Sequence, residues 1–230
     1  MMSYHIVSIG GNCQPAHQIR RHTGKTEANV FDWLMIELRD VARLIDNDFV
    51  EFLELSNLQY VRTPFRHVLD QASLAKFVHD FKFSLEPRDQ YENVRSKYDY
   101  LIKRWRETME RDETIVFVWL GAATDRDLHL LEQSISIRRK SKPFLIAALT
   151  TGLPPGRKSA RIVCFDIAQP DPYVWKGDDM EWEAVLQTLP AELQAAAAAT
   201  TNHGPIGTET LGRPKVFDPL EDAIRERASR

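Results

Sequence analysis

Nucleophilic chemistry in this chain would have to come from two cysteines and seven histidines. Cys13 is the better placed cysteine. It closes the run Ile9-Gly10-Gly11-Asn12-Cys13, which follows an apolar stretch of strand length from residue 4 and precedes a helical stretch that stops at Gly24. Strand, tight turn and helix in that order put a side chain at the carboxyl end of a sheet strand, where ligands of open α/β sheets gather. They also put it at a helix N-terminus, whose free N–H groups and dipole favour negative charge. The position therefore predicts a thiol whose pKa falls from about 8.5 towards 7 or below. The backbone amides around Gly11 and Gln14, with the Asn12 carboxamide, are candidates to hold an oxyanion formed by thiolate attack on a carbonyl. The plainer alternative makes Cys13 a small buried apolar residue beside a tight turn. A phosphate cradle is the weaker use of the glycines, since neither the G-x-G-x-x-G order nor a Walker lysine is present.

A cysteine nucleophile needs a base. His79 ends a stretch, residues 73–79, that reads as a strand, which would bring it to the same edge as Cys13; the alternative is a capping or core histidine. His17 lies one helical turn beyond Cys13 and is expected on the solvated face. To orient the imidazole, Asp32 and Asp80 are the candidates. Asp32 lies between Phe31 and Trp33, where a carboxylate needs a donor or serves as a helix cap. Asp80 adjoins His79, but successive side chains of an extended segment point to opposite faces. Trp33 is a candidate substrate contact. Asp178 and Asp179 read as caps of the last helix, and Cys164 as core. No cluster has metal-ligand spacing, so no metal site is expected.

These residues must be held by a sheet. Apolar runs of strand length alternate with helical patterns, the signature of parallel strands flanked by helices. Thr114 to Leu120 (TIVFVWL) reads as a fully buried strand. Residues 88–111 place Val94, Tyr98, Leu101, Ile102 and Trp105 at helical spacing. A helix over 37–47, continued or kinked through 49–55, a helix over 125–137, strands over 143–149 and 160–165, and a helix over 180–199 complete the pattern. The expected fold is an α/β three-layer sandwich with a mostly parallel, doubly wound central sheet, a single domain over 1–200, and a tail or lid over 201–230. A chain of 230 residues with 43% hydrophobic and 27% charged residues is neither disordered nor fibrous. A net charge of −3 leaves no basic field to hold a nucleic acid. With no long apolar run or basic leader, the expectation is a cytoplasmic protein with a small-molecule, glycan or peptide substrate and no transmembrane segment.

The ordered motifs resemble the bacterial papain-like cysteine peptidase family DUF1796. They are Ser8-Ile9-Gly10-Gly11-Asn12-Cys13 with Ala16 and Ile19-Arg20-Arg21, then Phe31-Asp32-Trp33, Asp48-Phe49-Val50-Glu51-Phe52-Leu53, His79-Asp80-Phe81, Lys97-Tyr98 and Arg104-Trp105. Val30 stands where the family pattern has proline, and Trp119 where its buried strand usually ends in arginine. The resemblance implies a Cys–His pair at Cys13 and His79. It does not imply the papain topology, since papain-like enzymes set the nucleophile's helix against an antiparallel barrel while this chain alternates strands and helices. Gly11-Asn12-Cys13-Gln14 is also similar to the opening of a capsule-polysaccharide biosynthesis family that binds coenzyme A on an SGNH-hydrolase-like fold. Three functions follow: a thiol hydrolase without a cofactor, an acyltransferase using coenzyme A in surface-polysaccharide assembly, and a non-catalytic carbohydrate- or protein-binding module.

Overall fold

The computed structural model describes residues 3–63, 65–150, 152–167 and 175–202. Its main sheet joins β1 (Tyr4–Ser8), β6 (Thr114–Leu120), β7 (Phe144–Leu149) and β9 (Ile162–Phe165) as parallel neighbours in that order. An antiparallel edge strand, β8 (Gly156–Ser159), pairs with β9. A second, antiparallel sheet has the order β2 (Leu34–Met35), β5 (Lys76–Phe77), β4 (His67–Asp70) and β3 (Leu58–Val61). The helices are α1 (Gln14–Thr23), α2 (Leu38–Asp46), α3 (Pro87–Met109), α4 (Asp125–Arg139) and α5 (Asp179–Asn202).

Alternation along the parallel strands divides the core. Val116, Val118 and Leu120 of β6 cluster with Ile19 of α1 and with Trp182, Leu186 and Leu189 of α5. Ile115, Phe117 and Trp119 cluster instead with α2, α3 and α4 through residues such as Leu44, Trp105 and Leu131. Strands buried on both faces need unbroken apolar runs, which is why TIVFVWL carries no polar residue after its first position. The helix that follows β1 thus packs on one face, and the helix that follows β6 on the other.

Three expectations are corrected. The strand expected over 73–79 is only Lys76–Phe77, and it belongs to the antiparallel sheet, so His79 does not end a strand of the parallel one. The helix does not continue through 49–55: Phe49, Glu51 and Leu53 have positive φ (63°, 65° and 59°), and the Leu53 N–H donates to the buried Asp70 carboxylate at 2.8 Å. A side-chain acceptor from β4 replaces helical carbonyls there, while Phe49 and Phe52 still pack into the core. The strand expected over 160–165 is Ile162–Phe165, and it is preceded by the antiparallel edge strand β8, which the pattern does not announce. The tail or lid expected over 201–230 lies, beyond the end of α5, outside the described residues. Among the described residues, no helix is long and apolar enough to cross a membrane.

Candidate active site

β1 and β6 are adjacent, and the helices that follow them leave for opposite faces of the sheet, so a crevice opens between their carboxyl ends. It has a volume of about 410 Å³ and is lined by Gly11 and Asn12 after β1 and by Trp119 and Gly121 at the end of β6. The starts of α2 and α4 form its other walls. Gly11 is obligatory in this geometry. Its φ is +89°, and a Cβ there would sit 1.7 Å from the Leu120 carbonyl oxygen, so the turn after β1 runs directly against the end of β6.

Cys13 follows the crevice-lining Asn12 in the chain, is half-buried, and stands at the N-cap of α1 in helical geometry (φ −78°, ψ −10°). Its carbonyl accepts the His17 N–H at 3.2 Å, while the Asn12 side-chain oxygen accepts the Gln14 N–H at 2.8 Å. The Asn12 side chain therefore answers the first helical N–H, and its carboxamide nitrogen has no hydrogen bond among the described residues. The sequence-based expectation of a lowered thiol pKa is reversed. Burial pushes the Cys13 thiol up, partly offset by its own backbone N–H, because removing a thiolate from water outweighs the helix end. A resting thiol at neutral pH makes a proton acceptor necessary.

Positions 13, 17 and 20 share one face of α1 by helical spacing, and all three are half-buried where Gln14, Pro15, Ala16, Gln18 and Ile19 are buried. This face gathers the remaining groups. Arg20 donates to Asp32 at 2.7 Å and lays its guanidinium over the Trp33 ring at 5.1 Å. Trp33 meets the His79 ring edge-on, with centroids 5.9 Å apart. The β2–β5 pairing brings the two segments together: Leu34 lies opposite Phe77, one residue from Trp33 and two from His79. His79 is thereby tied through Trp33 and Arg20 to the helix that carries Cys13. No hydrogen bond joins Cys13 to His79 among the described residues.

The carboxylates proposed to orient the imidazole are engaged elsewhere. Asp32, buried to 2% exposure, accepts from Arg20 and from the Asn29 N–H at 2.9 Å. Burial raises its pKa to about 6 against the pull of both donors. Asp80 accepts from Lys97 and from the Tyr98 hydroxyl, so it fastens the His79 segment to α3. Gln14 is 2% exposed, and its carboxamide oxygen turns to the Gly177 N–H at 2.9 Å and the Trp182 indole N–H at 3.3 Å, tying α1 to α5. Asp178 caps α5 through the Met180 and Glu181 N–H groups, and Cys164 is core.

Arg20 as the link from Asp32 to Trp33 is not legible in the sequence, although it stands in the basic run after Cys13. His17 is expected on the solvated face, yet its ring packs edge-to-face on Trp175 at 5.0 Å, and burial lowers its pKa, which keeps it neutral near pH 7. The crevice walls Glu37, Arg39 and Asp127 come from distant segments and leave one local signal, the Thr124–Asp127 capping box at the start of α4.

Residues 4–147 match the model of the family described as "Putative papain-like cysteine peptidase (DUF1796)". The chain belongs to this family. The DUF1796 match starts at β1 and ends within β7, so it takes in Cys13, Asp32, His79, Asp80 and the crevice, while α5 and the Gln14 partners fall beyond it. No curated protein and no solved structure matches the chain.

Proposed function

We propose that this protein is a thiol hydrolase acting on acyl or peptide bonds, with Cys13 as nucleophile and His79 as general base and acid. The observation that carries the reading is the position of Cys13: half-buried, at the head of α1, and next in the chain to Gly11 and Asn12, which line the crevice where the helices after β1 and β6 diverge. The family described as a cysteine peptidase supports it.

In the first step the imidazole takes the Sγ–H proton, and sulfur bonds to the carbonyl carbon. The carbonyl π-pair moves to oxygen, where the Asn12 carboxamide nitrogen and the Cys13 backbone N–H stabilise it. The tetrahedral centre then collapses, the bond to the leaving amine or alcohol breaks, and the imidazolium returns its proton to that group. Water, deprotonated by the same imidazole, attacks the thioester and restores the thiol. Trp33 and Arg20 position His79. Asp32 acts at one remove, by holding Arg20. An acceptor other than water in the second step, as in coenzyme A-linked acyl transfer, would use the same residues.

The test is mass spectrometry of the intact protein incubated with a panel of p-nitrophenyl esters, acyl thioesters and fluorogenic peptides. The reading expects product release with an acyl adduct on the peptide carrying Cys13, both lost in Cys13→Ala. Turnover unchanged in Cys13→Ala overturns it.

A further inference from the structure

The crevice beside Cys13 carries a donor that the protein leaves unanswered. Trp119 is 2% exposed, and its indole Nε1–H has no acceptor among the described residues. A buried N–H without a partner is rare, and where it lines an open site the missing acceptor is expected from a ligand. Trp119 lines the crevice together with Gly121, and a Cβ on Gly121 would stand 3.2 to 3.6 Å from the indole edge that includes Nε1.

Charge at the walls narrows what could supply the acceptor. Glu37, Arg39 and Asp127 all line the crevice. The only cation among them is paired, because the Arg39 guanidinium donates to Glu37 at 2.6 Å. Asp127 accepts from the Thr124 N–H at 3.2 Å and hydroxyl at 2.7 Å, both on Oδ2, which leaves Oδ1 open. The crevice therefore has a residue with an unanswered neutral donor in its lining and an excess of one negative charge at its walls. A carboxylate or phosphate entering it meets like charge, and an aliphatic group leaves Nε1 orphaned. A carboxamide satisfies both ends.

We propose that this crevice is the side-chain subsite of the substrate and selects an uncharged carboxamide, as of glutamine or asparagine. Its carbonyl oxygen accepts from Trp119 Nε1, and its NH₂ group faces Asp127 and Glu37. The proposal rests on Cys13 being the reactive centre next to this subsite.

Binding is measured on the full-length Cys13→Ala variant, where no turnover can intervene. The probes are the N-acetyl amides of glutamine, glutamate and norleucine. Titration is followed by calorimetry and by the indole N–H resonances, with Trp119 assigned from the spectrum of Trp119→Phe. The glutamine probe should bind about 10-fold tighter than the other two, the discrimination of one unmet buried donor, and should move the Trp119 indole proton downfield. Trp119→Phe should abolish its advantage over norleucine, and Glu37→Gln should improve glutamate binding. The three-ligand comparison holds even if Trp119→Phe does not fold. Equal affinities, or an unmoved Trp119 resonance, overturn the subsite. Selective binding in Cys13→Ala with no turnover by the unsubstituted protein would keep the subsite and reject the hydrolase.

Discussion

Three of the glycines with positive φ differ in what surrounds them, and this makes the turn before Cys13 open to a graded test. Gly24, with φ +69° just after α1, has nothing within 4 Å of where a Cβ would stand, so Gly24→Ala carries only the left-handed backbone penalty of about 1 kcal/mol. Gly10, at φ +92°, would bring a methyl to 3.2 Å from the Ile36 side chain and 3.4 Å from the Phe31 carbonyl, and the crowding adds roughly 1–2 kcal/mol. At Gly11, the contact of 1.7 Å is with a backbone oxygen at the end of a buried strand, which has no rotamer to escape into. Strain and overpacking then combine to about 4 kcal/mol or more. With a urea slope of about 2–3 kcal/mol/M, Gly11→Ala should lower the unfolding midpoint by roughly 1.5 M and Gly24→Ala by less than about 0.5 M. Urea titration followed by circular dichroism and tryptophan fluorescence reads both. Equal midpoints for the two variants would mean that the turn after β1 does not lie against Leu120, and the crevice geometry would fall with it.

Asp32 gives a pH dependence. It ionises at about 6 in the folded protein and near 3.9 in the unfolded chain, so the folded state holds the proton more tightly. Its contribution is most favourable below about pH 4, declines as pH rises to about 6 by on the order of 3 kcal/mol, and is flat above. Thermal melts of Asp32→Asn should lack this decline, and parallel curves for the two proteins would count against the assignment. Asp80→Ala leaves the Tyr98 hydroxyl buried without its acceptor and should cost about 2–3 kcal/mol, whereas Tyr98→Phe should cost about 1 kcal/mol. If Asp80→Ala is neutral in a denaturant titration, Asp80 does not anchor the His79 segment.

The parts of the fold that could be read in advance are those whose burial writes itself into local pattern. Residues 115–120 are apolar throughout because both faces of the strand are covered, and the spacing of Val94, Tyr98 and Trp105 marks the packed side of α3. Gly156–Ser159 escapes notice because an edge strand needs no apolar face. Residues 49–53 look helical by composition, yet Phe49, Glu51 and Leu53 have positive φ and a carboxylate from β4 accepts the Leu53 N–H, and such a partner lies beyond any window of sequence. The site divides the same way. A thiol at a strand–helix turn is a local feature and stands where the sequence puts it. Its protonation is not a local feature, because burial by other segments decides it. The engagement of Asp32 with Arg20, of Asp80 with Tyr98 and of Gln14 with Gly177 is likewise set by tertiary packing.

The rate of Cys13 alkylation by iodoacetamide against pH tests the central claim most directly, with Cys13 read by peptide mass spectrometry and His79→Ala and His17→Ala compared with the unsubstituted protein. His79→Ala should slow alkylation at pH 7 by about 10-fold and shift the profile towards higher pH, as expected when a thiol loses the imidazole that takes its proton. His17→Ala should have the smaller effect. Identical profiles for His79→Ala and the unsubstituted protein would contradict the Cys13–His79 pair.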